Sequence, residues 1–94
     1  MAIEVVVFHV QPDVTSENLQ AAIDATTALL QSQTGFKTRT IGKAESGEWL
    51  DIIHWDSVES AKKAMTAFQS DEAGQRFSSY LDLSTIQVYY LETD

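Results

Sequence analysis

Apolar and polar positions along the chain alternate with two different periods. Residues 2–11 carry Val5, Val6, Val7, Phe8 and Val10, a β-branched and aromatic run that Pro12 closes, and they predict a strand. Leu19, Ala22, Ile23, Ala25, Leu29 and Leu30 then recur at close to helical spacing, with Thr15 or Asp13 as the N-terminal cap and Gly35 as the stop. Residues 36–44 and 49–56 read as strands joined by the turn Glu45-Ser46-Gly47-Glu48. Asp56-Ser57-Val58-Glu59 resembles a capping box. The helix it opens places Ala61, Ala64, Met65 and Phe68 on one face and Lys62 and Lys63 on the other. After a break near Ser70-Asp71, Ala73, Phe77, Tyr80 and Leu81 keep helical spacing, and residues 86–91 predict a last strand.

The order β-α-β-β-α-β is the ferredoxin-like pattern. It predicts an α+β fold in which residues 1–94 form a single domain, with a four-stranded antiparallel sheet and the helices on one face. Such a sheet normally alternates apolar and polar residues, because one face is wet. These strands do not. Val6, Phe8 and Val10 oppose Ile3, Val5 and Val7; Trp49, Ile53 and Trp55 oppose Leu50 and Ile52; Ile86, Val88 and Tyr90 oppose Tyr89 and Leu91. Two helices cover one face, so the other calls for a second sheet, most simply that of an identical chain. A homodimer is expected.

The composition narrows the function classes. With 6 Lys+Arg against 14 Asp+Glu the chain has a net charge of −8, which disfavours nucleic acids and anionic membrane surfaces. The absence of Cys removes disulfides, thiolate metal sites and cysteine nucleophiles. Glu4 interrupts an N-terminus without a basic region, and no apolar run approaches the ~20 residues of a membrane helix, so a cytoplasmic location is expected. No G-x-G-x-x-G, P-loop or G-x-S-x-G motif is present, and no cofactor is expected.

The hairpin reads Gly35-Phe36-x-x-Arg39-x-Ile41 and then Gly47-x-Trp49-x-Asp51-x-Ile53-x-Trp55-x-Ser57, followed by Ala61. With the strand Glu4-Val5-Val6-Val7-Phe8 and the segment Leu81-Asp82-Leu83-Ser84, it resembles the dimeric α/β-barrel superfamily over nearly the whole chain. Within that superfamily it is most similar to relatives of the antibiotic-biosynthesis monooxygenases that have no assigned activity. The resemblance implies a homodimer whose two sheets face each other as a barrel, with a pocket in each protomer between its sheet and its helices. Members include cofactor-free quinone-forming oxygenases, haem-degrading enzymes, polyketide cyclases and stress-responsive proteins, so the fold does not settle the activity. Haem degradation is not expected, because the only Asn is Asn18 and neither His lies on a helix; the cyclase branch is disfavoured by the lack of a His in residues 71–76.

Lys37, Arg39, Ile41, Trp49, Asp51, Ile53 and Trp55 share one strand face, which Glu4, Val6 and Phe8 can join from a neighbouring strand. If the hairpin closes around Ser46-Gly47 without a bulge, Arg39 and Asp51 lie diagonally adjacent. Periodicity does not say which sheet face this is; the resemblance places it on the helix side, with the pocket. The candidate pocket residues are Glu4, Phe8, Arg39, Trp49, Asp51, Trp55 and Tyr90. Arg39 can fix an anionic or carbonyl oxygen, Asp51 or Glu4 can act as a base, and the Trp rings can hold a flat ligand. The plainer alternative is a structural ion pair with the Trp residues as core. Glu4, flanked by apolar residues, has either a raised pKa suited to a base or simple access to water near the strand's start. Tyr80, Tyr89 and Tyr90 are candidates for a pocket hydroxyl, and one of the adjacent pair must point to each face. His9 and His54 can approach one another if their strands are neighbours, but without a carboxylate at ligand spacing they make no metal site. Two function classes remain. One is a homodimer binding a hydrophobic or aromatic small molecule, with cofactor-independent monooxygenation as its candidate activity. The other is a non-enzymatic, stress-responsive or partner-binding dimer with a vestigial pocket.

Overall fold

The computed structural model describes residues 1–93. In chain order the elements are β1 (Ala2–Val10), α1 (Ser16–Gln31), β2 (Phe36–Lys43), β3 (Trp49–Trp55), α2 (Val58–Ser70), α3 (Glu72–Ser79) and β4 (Leu81–Glu92). The strands form one antiparallel sheet in the order β2-β3-β1-β4, with the helices on one face. This is the ferredoxin-like arrangement that the pattern predicts.

The element ends follow from local hydrogen bonding. Thr15, not Asp13, caps α1, its Oγ1 accepting from the Asn18 N–H at 3.1 Å. The helix ends at Gln31, before Gly35, because the Ser32 hydroxyl and backbone N–H both close onto Leu29. Gly35 serves the turn instead. Its φ of +88° suits only glycine, and a Cβ there would run into the Asp56 carboxylate. The expected capping box does not form. The Asp56 N–H donates to the Gly35 carbonyl at 2.8 Å and stays with the sheet, so Ser57 caps α2 one residue later. Glu59 is left to pair with Lys63 in solvent.

β4 begins at Leu81, five residues before the predicted start at residue 86, and Tyr80 caps α3 rather than continuing it. The register explains the difference. His9 pairs with Asp82 while Val7 pairs with Gln87, so β4 carries three more residues than β1 between these two pairs. That bulge breaks the alternation from which a strand is read.

Two apolar clusters lie between the sheet and the helices. One gathers Leu30, Ile53, Trp55, Ala61 and Ala64; the other gathers Phe8, Leu19, Ile23, Phe77 and Leu81. On the opposite sheet face Ile3, Val5, Val7, Leu50 and Ile52 are half-buried, while Tyr89 and Leu91 remain 50% and 48% exposed. No helix among the described residues is long and apolar enough to cross a membrane.

Candidate functional site

A cavity of about 260 Å³ opens between the sheet and the helices beside the edge strand β4. Its floor is Glu4 and Val6 of β1, Asp51 and Ile53 of β3, and Leu81, Leu83, Ile86 and Val88 of β4. Leu30, Ala64, Met65, Phe68, Gln69, Phe77 and Ser78 form the helical side. The β4 bulge brings Leu83 and Ile86 to the same wall, and Leu83, 65% exposed, stands at the rim.

Glu4 and Asp51 are the charged residues of this lining. They lie diagonally across β1 and β3, since Glu4 pairs with Ile53 and Val6 with Asp51. Their surroundings differ. Asp51 accepts two hydrogen bonds from Arg39, at 2.9 Å from Nε and 2.8 Å from Nη2. Arg39 Nη1 is turned away towards α1, donating to the Ile23 carbonyl at 3.1 Å and to the hydroxyls of Thr26 and Thr27 at 2.9 Å each. The guanidinium also rests 5.7 Å from the Phe77 ring centre. This is a buried ion pair with its polar atoms satisfied.

Glu4 is only 3% exposed and has one partner, the Trp55 indole N–H, which donates to Oε1 at 3.0 Å. No buried side-chain polar atom among the described residues lacks a partner. Oε2, which accepts no hydrogen bond, is therefore the oxygen that opens onto the cavity. Burial among apolar side chains pushes the Glu4 carboxyl up to about 7; the Trp55 bond opposes this, the Asp51 charge adds to it and the Arg39 charge offsets it. Glu4 is thus the lining group able to exchange a proton near neutral pH.

The other expected pocket residues, Phe8, Arg39, Trp49, Trp55 and Tyr90, are not part of this lining. Phe8 stacks on Trp49 at 6.5 Å and meets the edge of Phe77 at 5.9 Å, within the second cluster. Trp55 is fully buried, edge-on to Phe36 at 5.7 Å, with its indole N–H on Glu4. Tyr90 pairs with Glu4 across β1 and β4 and packs on the first cluster, with Lys62 Nζ 5.6 Å above its ring. Burial, and then the Glu4 charge, raise its hydroxyl pKa. Tyr89 points to the opposite face and donates to Gln87. Tyr80 borders a separate open groove between α1 and α3. The histidines do not meet. His54 lies opposite Ile3, six residues along β1 from His9, a separation of roughly 20 Å at the strand rise.

Sequence reasoning missed Thr26 and Thr27, which anchor Arg39. Thr26 stands among Leu19, Ala22, Ile23 and Leu30 on the buried face of α1, and a hydroxyl at a core position was the available signal. It also missed the cavity's β4 wall, which depends on the bulge.

No family model matches the sequence, and the curated proteins include no sequence match. Solved structures match it throughout its length. SnoaB, a cofactor-independent oxygenase from Streptomyces nogalater, superposes with a TM-score of 0.78 at 14% identity, over 98% of this chain and 91% of that one. A proposed antibiotic biosynthesis monooxygenase from Bordetella bronchiseptica gives 0.80 at 14%, over 99% and 96%. At3g17210 from Arabidopsis thaliana gives 0.79 at 14%, over 100% and 96%. The chain shares the fold of these proteins.

Proposed function

We propose that the protein is a homodimer that binds a hydrophobic or aromatic small molecule between its sheet and its helices, and oxygenates it without a cofactor. The observation that carries this reading is Glu4, buried at the base of an apolar cavity with one carboxylate oxygen facing the space. An apolar cavity of about 150 Å³ holds a benzene, so 260 Å³ has room for a two-ring compound. In the reaction, the Glu4 carboxylate takes a proton from an acidic O–H or C–H of the substrate. The substrate anion passes electrons to dioxygen, and loss of water from the resulting hydroperoxide leaves a carbonyl. A CH2 and O2 thereby become C=O and H2O, a balance that needs no further oxidant. The structural likeness to SnoaB supports oxygenation as the activity.

The dimer reading rests on the uncovered apolar sheet face, where a second copy would bury Val5, Val7, Ile52 and Leu91. Native mass spectrometry tests subunit number and co-purified ligand together. An oxygen electrode with a panel of hydroxyaromatic compounds tests turnover, and Glu4→Gln is expected to lower it by about 10²-fold or more. A non-enzymatic dimer with a vestigial pocket has one observation in its favour. The cavity lies below the ~300–1,000 Å³ of usual ligand sites, with Phe68 and Phe77 occupying part of the space. A dimer that carries no ligand and consumes no oxygen with any compound would establish that reading.

A further inference from the structure

We infer that the ligand of this cavity carries a protonated amine, held by Glu4, at the end of an apolar body. This rests on the pocket reading above and not on the base role of Glu4: with Oε1 on Trp55 and Oε2 on an ammonium, the carboxylate binds the ligand and does not deprotonate it. The charge inventory carries it. Asp51 and Arg39 neutralise each other, with both Asp51 oxygens engaged and Arg39 Nη1 committed to α1. Glu4 is left as a buried carboxylate without a counter-charge, its Oε2 aimed into the cavity. Among the described residues no Lys, Arg or His belongs to the lining, from the helices or from the strands. Lys62 sits over Tyr90, outside it.

A buried anion lacking a partner is costly, and a cation that hydrogen-bonds it removes that cost. An anionic ligand would meet Glu4 with no cation to receive it, since, Asp51 apart, the other polar side chains of the lining, Gln69 and Ser78, are neutral. Phe68, Phe77, Ile86 and Val88 suit the apolar body. The net charge of −8 adds a long-range field that draws cations towards the protein and repels anions. The same surroundings push the carboxyl up to about 7: burial raises it most, Asp51 adds to this, and the Trp55 bond and Arg39 only partly offset them.

The test uses three probes of nearly equal shape, 2-phenylethylamine, 2-phenylethanol and 3-phenylpropionate, titrated calorimetrically against the intact protein. The amine is expected to bind at least tenfold more tightly than the alcohol, and the carboxylate most weakly. The amine stays protonated below pH 9, so its affinity should rise about tenfold from pH 6 to pH 8 as Glu4 ionises, while the alcohol's stays level. Glu4→Gln, which keeps the oxygen that Trp55 needs, should bring the amine down to the alcohol's affinity and abolish the pH dependence. If the alcohol or the carboxylate binds as tightly as the amine, or if amine binding strengthens as pH falls, the amine assignment is wrong and the pocket reading stands. If none of the three binds, the pocket reading falls with it.

Discussion

Replacing Glu4 by Gln isolates one ionisation. Gln keeps an acceptor for the Trp55 indole N–H and cannot charge. In the unfolded chain the Glu4 carboxyl titrates at its ordinary 4.5, and in the folded chain at about 7. Between these values the folded protein holds a proton that the unfolded chain has already released. Stability must therefore fall as pH rises through the window, and level off on either side of it. At ~1.4 kcal/mol per pH unit the gap corresponds to about 3 kcal/mol. Glu4 is 3% exposed, yet its Oε2 faces a cavity open at the Leu83 rim, so solvent screening makes that an upper figure. Urea denaturation of both proteins at one chain concentration, from pH 4.5 to pH 8, gives the difference directly; fixing the concentration removes any contribution from subunit association. The wild type should lose up to about 3 kcal/mol relative to Glu4→Gln between pH 4.5 and 7.5. Parallel profiles, differing by a constant across that range, would show that the carboxyl titrates normally and that the cavity floor is wet.

Further perturbations address the supporting structure. Arg39→Met leaves Asp51 buried and unpaired and should cost about 3–5 kcal/mol, most of it regained in Arg39→Met/Asp51→Leu; a loss below ~1 kcal/mol in the single variant would contradict the burial of the pair. Gly74→Ala drives a Cβ into the Phe68 carbonyl where α3 crosses α2, and should lower stability by about 1–3 kcal/mol, read as a fall in Tm; an unchanged Tm would show that the crossing is loose. Val5→Lys places a charge at the centre of the uncovered sheet face and should convert the proposed dimer to monomer in sedimentation velocity, whereas a persistent dimer would put the interface elsewhere.

Much of this arrangement was legible because it depends on periodicity. The alternation in β1 puts Glu4 on the face of Val6 and Phe8 whatever the neighbours do. The diagonal between Arg39 and Asp51 needed only a hairpin without a bulge between them, and the irregularity in β2 falls earlier, between Phe36 and Thr38. Features requiring register between distant strands were not legible. The separation of His9 from His54, and the meeting of Trp55 with Glu4, are set by how β1 lies against β3. The β4 bulge was invisible because Leu83, Ser84 and Thr85 depart from simple alternation, and the wall it forms was missed with it. The anchoring of Arg39 by α1 depends on helix docking, which no strand pattern contains.

Two carboxylates diagonal to each other have been given different tasks by their partners. Asp51 is paired with a bidentate guanidinium, while Glu4 has an indole N–H and an apolar cavity. Arg39 is not among the residues lining that cavity, so it acts on the site through Asp51 rather than on a ligand. This separates two explanations of any Arg39 phenotype. Its charge lowers the Glu4 pKa and the Asp51 charge raises it, so removing Arg39 while Asp51 remains should move Glu4 to a still higher value. In Arg39→Lys, which preserves the charge but not the fork, the pH dependence of ligand binding should shift alkaline less than in Arg39→Met. If Arg39 instead contacted the ligand, affinity would drop in both variants with the pH profile unmoved, and the division between the paired and the unpaired carboxylate would be wrong.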